Sequence, residues 1–167
     1  DAFVPTLEAK SKDRKIMLDP GFSPVSARLA VTRGGGTPLI DTSPITLLKA
    51  VKNPMELSGL RAAHIEDGVA LTEFLAWLDA EVSARAAAGH PITELEAQAA
   101  LFDFRSKGAD FTEDSFTPIS ASGQNAAMCH YSAKPATDAA LTPALPYLID
   151  SGGQYRGGTT DVTRTIA

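Results

Sequence analysis

Leu57, Leu60, Leu71, Phe74, Leu75, Leu78 and Val82 recur at three- and four-residue spacing, with His64 on the same stripe. That period gathers them on one face of a helix turned toward a core. Its start is signalled by Asn53-Pro54-Met55-Glu56: an acceptor at the N-cap, proline at the first helical position, and a glutamate that closes a capping box. Gly89 and Pro91 end it. A span from 54 to 88 is long for one helix, and Gly68 is a candidate break. A second helix opens on another capping box, Thr93-Glu94-Leu95-Glu96, carries Leu95, Ala99, Phe102 and Phe104, and stops at Gly108.

After Gly108 the pattern shortens to strands and turns. Phe116–Ser120 and Ala126–Tyr131 read as extended segments on either side of Gly123-Gln124-Asn125. Tyr147–Ser151 and Thr159–Ile166 read as two strands around a glycine-rich turn, Gly152–Gly158. Helices first and strands afterwards predict an α+β arrangement over residues 45–167. Residues 1–44 are mixed: a strand at Lys15–Leu18, a helical turn at Val25–Leu29, and a loop over Arg33-Gly34-Gly35-Gly36-Thr37-Pro38. They are too few to bury a core and read as the end of a preceding, non-catalytic α/β domain and a linker. The chain opens at Asp1 without Met, and its last strand-like run ends with no turn or cap. The expectation is a piece of a longer polypeptide.

Composition narrows the function. Of 167 residues 44% are hydrophobic and 21% charged, as in globular proteins. Fifteen basic against twenty acidic residues leave a net charge of −5, which disfavours nucleic-acid and anionic-membrane partners. One cysteine excludes an intramolecular disulfide and fits a cytoplasmic setting. No apolar run approaches the ~18–20 residues that cross a bilayer.

The candidate chemistry lies on the two strands around the glycine-rich turn. Asp150 and Asp161 are eleven residues apart, so a hairpin centred between Tyr155 and Arg156 sets them directly opposite on one face. Their Cβ atoms would then be about 4.5–5.5 Å apart. Two carboxylates that close repel unless a cation lies between them, and facing hard-oxygen ligands can bridge metal ions ~3.5–4 Å apart. An exposed hairpin with two solvated aspartates is the plainer alternative. Leu148 and Ile149 make the approach to Asp150 apolar. His130 can pack in a core or serve as a proton relay and hydrogen-bond donor. Cys129 beside it would face the other way on a strand, which disfavours a Cys–His nucleophile pair. His64 reads as structural and His90, in a Gly-His-Pro turn, as solvated. The turn lacks the Gly-Lys-Ser/Thr of a phosphate-binding loop.

The segments Leu148-Ile149-Asp150-Ser151-Gly152-Gly153-Gln154-Tyr155 and Gly158-Thr159-Thr160-Asp161-Val162-Thr163-Arg164-Thr165 closely resemble the Xaa-Pro aminopeptidases (aminopeptidase P), pita-bread-fold metallopeptidases. Lys49–Pro54 with Glu56-Leu57, Asp67–Leu71 with Phe74–Leu78, and Gly123–Ala127 with His130-Tyr131 agree in the same order. The resemblance implies that 45–167 is the first half of a pita-bread fold, two helices on an antiparallel sheet. It implies Asp150 and Asp161 as ligands of two divalent metal ions, most often Mn2+. His130 would contact the substrate or the developing tetrahedral intermediate. The family's remaining ligands, one His and two Glu, are expected beyond Ala167, so the chain alone is expected to be inactive and to need the remainder of the catalytic domain. Gly157 stands where the family usually has aspartate, which touches turn stability rather than ligation. The implied reaction is hydrolysis between an N-terminal residue and a following proline, and family analogy adds a homodimer. A prolidase-like Xaa-Pro dipeptidase and a non-catalytic pita-bread binding module are the alternatives.

Overall fold

A computed structural model of the chain describes residues 2–166. They pack as two units, Asp1–Lys52 and Asn53–Ala167. In the first unit α1 (Phe3–Lys10) precedes β1 (Lys15–Leu18), α2 (Val25–Arg33), β2 (Thr37–Ile40) and α3 (Pro44–Ala50). β1 and β2 are parallel, with Lys15 opposite Thr37 and Leu18 opposite Ile40. Such a pair needs a crossover, which α2 supplies. This departs from the sequence reading in two ways. The predicted loop ends at Gly36, and Thr37-Pro38 already belong to a strand; proline is tolerated there because the sheet has two strands and both are edges. The unit also buries a small core, Leu18, Ala27 and Val31, with Leu7 and Ile16 against it.

The second unit begins with α4 (Pro54–Ala87) and α5 (Glu94–Arg105), both opened by complete capping boxes. α4 runs unbroken through Gly68, whose missing side chain faces open space. Its buried stripe is Ala63, Asp67, Ala70, Leu71, Phe74 and Leu78; Leu57 and His64 lie outside it and are exposed. β3 (Phe111–Asp114), β4 (Ile119–Ser122), β5 (Tyr147–Ser151), β6 (Gly153–Tyr155), β7 (Gly158–Thr159) and β8 (Val162–Ile166) follow. They form two antiparallel three-stranded sheets, ordered β3-β6-β7 and β4-β5-β8. The core joins Leu71, Phe74 and Leu78 of α4 to Ala97 and Leu101 of α5, with Ile92, Leu141, and Tyr147 and Ile149 of β5. The α+β arrangement of two helices with antiparallel strands is therefore as expected, with the strands divided between two sheets.

One hairpin runs through both sheets. Asp150 pairs with Thr163 and Ser151 with Val162 in the first, and Gln154 with Thr159 and Tyr155 with Gly158 in the second. All four pairs share one centre, so the turn is Arg156-Gly157. At the sheet junction a Cβ on Gly152 would run into the Thr160 carbonyl and the Ser115 hydroxyl, so only glycine lets the strands kink there. At the tip, a Cβ on Gly59 of α4 would run into the Gly157 carbonyl, so the helix meets the turn backbone to backbone. The segment 128–131 forms no strand: a 3-10 turn covers Gly123–Ala127, and residues 128–146 carry no helix or strand.

Candidate metal centre

Asp150 lies on β5, the central strand of its sheet, between Ile119 of β4 and Thr163 of β8. Neighbouring Tyr147, Ile149 and Ser151 are buried, so alternation puts Asp150 on the opposite face, away from the hydrophobic core. It is nevertheless half-buried, and its Oδ1 is sequestered from solvent with no hydrogen-bond partner among the described residues. A shielded carboxylate oxygen without a donor is costly unless a cation meets it. This atom fits a hard divalent ion, which prefers carboxylate ligands.

Asp161 is exposed and immediately precedes β8. The register corrects the predicted pairing: Asp150 faces Thr163, and the same centre sets Asp161 across from Gly152. The hairpin turns one residue later than the midpoint of the two aspartates. Asp150 and Asp161 are therefore offset by two residues along the hairpin rather than directly opposite. Among the described residues no three His, Cys, Asp or Glu side chains converge closely enough to hold a metal ion.

His130 is exposed, with φ of +55° in the left-handed region. A residue other than glycine is held there at a cost of roughly 1–2 kcal/mol, so the surrounding loop must be fixed by other contacts. Because 128–131 is not a strand, the opposite-face argument against Cys129 and His130 does not apply; the Cys129 thiol is exposed. His90 is exposed, as expected of its turn.

Beneath the hairpin lies a group of buried charges that the sequence reading did not single out. Arg105 Nε donates to Asp67 Oδ1 at 2.7 Å, and Arg105 Nη2 donates to Ser151 Oγ at 3.1 Å. The Tyr155 hydroxyl donates to the same Asp67 oxygen at 2.8 Å. Arg105 and Asp67 are each 1% exposed. This cluster ties α4 and α5 to β5 and β6, the first arm of the hairpin, and it grips the residue next to Asp150. Arg105 Nη1 lies 3.9 Å from Asp114 Oδ1, too far for a hydrogen bond. Burial pushes the Asp114 carboxyl above the ordinary range, and Arg105 pulls it back. Burial, and then the bond to Asp67, push the Tyr155 phenol well up. A signal for these residues was present: Asp67 is in phase with Ala63, Ala70 and Phe74, and Arg105 with Ala97 and Leu101.

Residues 58–167 match the model of metallopeptidase family M24. The probable Xaa-Pro aminopeptidase P of Paracoccidioides brasiliensis is 44% identical over 139 residues, covering 83% of this chain and 22% of the relative. The crystal structure of X-prolyl aminopeptidase from Caenorhabditis elegans, described as a cytosolic enzyme with a di-nuclear active site, is 33% identical. It superposes at a TM-score of 0.81 and covers 98% of this chain and 26% of that one. An Xaa-Pro dipeptidase from Bacillus anthracis, at 22% identity and a TM-score of 0.72, covers 92% of this chain and 40% of its own, and shares the fold. The chain thus spans about a quarter or less of the fungal and nematode relatives. Among the described residues no helix is long and apolar enough to cross a membrane. The neighbours share the pita-bread architecture, and the matched residues include most of α4, all of α5 and the whole hairpin: the chain belongs to metallopeptidase family M24.

Proposed function

We propose that this chain supplies one half of the catalytic domain of a metal-dependent Xaa-Pro aminopeptidase. Such an enzyme removes the N-terminal residue of peptides with proline in second position. The observation that supports this most directly is the sequestered Oδ1 of Asp150, a carboxylate oxygen with no donor. The 44% identity to a probable Xaa-Pro aminopeptidase P supports the substrate class. Asp150 and Asp161 would hold two divalent ions, Mn2+ by family resemblance, together with one His and two Glu that the resemblance expects from outside these 167 residues. The chemistry such ions would supply there is activation of a water molecule and polarisation of the scissile carbonyl.

The rest of the chemistry belongs to the chain's own groups. The ladder to Ile119 and Thr163 fixes the backbone of Asp150, and the Arg105 bond fixes the side chain of neighbouring Ser151. His130 projects an exposed imidazole whose ring N–H donates to the oxyanion as it develops. The nematode enzyme is described as cytosolic, and a cytoplasmic location and a homodimer are proposed for this protein by analogy. No nucleic-acid or membrane role is proposed.

Asp161→Asn and His130→Ala, each in the full polypeptide, separate these roles. Asp161→Asn is expected to lower metal occupancy and cleavage together, because a neutral amide is a poor ligand for a hard cation. His130→Ala is expected to keep its metal and lose about 100- to 1000-fold in turnover, as when one oxyanion donor is removed. Metal analysis beside cleavage kinetics on an Xaa-Pro peptide checks both. Full metal occupancy in Asp161→Asn, or metal loss in His130→Ala, overturns the assignment.

A further inference from the structure

Glu94 is the first residue of α5 and is completely buried. Its carboxylate accepts hydrogen bonds on both oxygens, and every donor comes from the segment that bears His130. Oε1 receives the Ser122 backbone N–H at 2.6 Å and the Asn125 amide at 2.9 Å. Oε2 receives the Tyr131 hydroxyl at 2.7 Å and the Ala139 N–H at 3.3 Å. A carboxylate buried among four donors at a helix N-terminus is well compensated, because both the donors and the helix dipole favour negative charge.

The segment needs such an anchor. Beyond the 3-10 turn at Gly123–Ala127 it has no helix or strand until β5, and it passes through a left-handed residue at His130. Its return is fixed at the same helix end: Leu95 N–H donates to Asp138 Oδ1 at 2.9 Å, Glu94 N–H donates to Ala139 O at 3.0 Å, and Thr93 pairs with Ala140. Between these two ends, the tether that reaches back to α5 is the Tyr131 side chain, one residue from His130.

We infer that Glu94 is a positioning residue: through Tyr131 and Asn125 it fixes the loop that aims His130. The inference rests on the proposed role of His130. Glutamine in place of Glu94 can serve only one oxygen's pair of donors, since its amide NH2 would meet donors on the other side.

The test is a double-mutant cycle in the full polypeptide, with Glu94→Gln, His130→Ala and their combination. Glu94→Gln is expected to lower kcat about 10- to 100-fold, the usual effect of removing a partner that orients a functional side chain, with KM and metal content little changed. In the His130→Ala background the same substitution is expected to change kcat by less than about 2-fold, because coupled residues are not additive. Equal losses in both backgrounds overturn the inference. Hydrogen exchange supplies a readout independent of His130 chemistry. Amides of residues 128–139 should exchange faster in Glu94→Gln, while those of 147–151 stay protected. Unchanged exchange at 128–139, or equal acceleration throughout, also overturns it. A His130→Ala variant with normal kcat removes the role of His130 instead, and exchange alone then decides whether Glu94 holds the loop. If Glu94→Gln does not fold, Tyr131→Phe deletes one of the four donors and is read by the same cycle and the same exchange.

Discussion

Arg105 and Asp67 are bound to each other inside the protein, with the Tyr155 and Ser151 hydroxyls completing the set. Bringing two charges out of water is expensive, and their attraction offsets that only while both are present. Arg105→Ala is therefore expected to cost about 3–5 kcal/mol, because it leaves the Asp67 carboxylate buried with only the Tyr155 hydroxyl as donor. Urea denaturation measures it. Replacing both partners, Arg105→Met with Asp67→Leu, should recover most of that loss, since no unpaired charge remains. If the double variant is as unstable as Arg105→Ala, the cluster acts through packing and not through charge pairing.

At the scale of elements, α4 is held by a narrow stripe of side chains and, at one end, by direct contact of Gly59 with the hairpin turn. Leu78 is 2% exposed and touches the cluster that contains Tyr147 and Ile149 of the aspartate-bearing strand; Leu75 is only partly buried. Leu78→Ala should cost about 2–5 kcal/mol, the range for opening a cavity under a fully buried leucine. Leu75→Ala should cost clearly less, because part of its surface is already in water. Unfolding curves of the two variants check the order, and a larger loss at Leu75 would mean that the buried face of α4 is misassigned. The hairpin depends on its elements in a different way. Its turn falls at Arg156-Gly157, and this offsets Asp150 and Asp161 by two residues along the hairpin.

At the scale of the whole molecule, the buried phenols of the second unit contribute to its response to alkaline pH. Tyr147 is 4% exposed and shares a hydrogen bond with Ser120; Tyr155 donates to Asp67. Burial pushes both phenols well above their ordinary value of 10, and the carboxylates nearby push them further. The unfolded chain releases these protons near pH 10 while the folded chain retains them. Their contribution is thus intact below pH 10 and is lost as pH rises above it, by up to about 1.4 kcal/mol per pH unit for each phenol. Urea midpoints measured at pH 9, 10 and 11 should fall over the last interval, and Tyr155→Phe should flatten that fall. A midpoint independent of pH above 10 would show that the phenols ionise freely in the folded protein.

The amino-acid order alone determined both long helices, because capping boxes at Asn53 and Thr93 and a 3.6-residue apolar period are local signals. It also placed Asp150 on a strand and both aspartates around a glycine-rich turn, although Asp161 falls just before β8. Tertiary structure decided what depends on contacts between distant segments. α4 runs unbroken through Gly68, with buried residues on both sides of it, Ala63 and Asp67 before and Ala70, Leu71, Phe74 and Leu78 after, packing the helix against its core. The hairpin register centres one residue past the midpoint of the aspartates, and close approaches of Gly152 to Thr160 and of Gly157 to Gly59, which no local pattern encodes, accompany it. Glu94, Asp67 and Arg105 look like surface charges in a hydropathy pattern, yet each is buried with hydrogen-bond partners between 28 and 88 residues away in sequence. A charge enters a protein interior only when such distant groups converge on it, so its role becomes legible only in the folded chain.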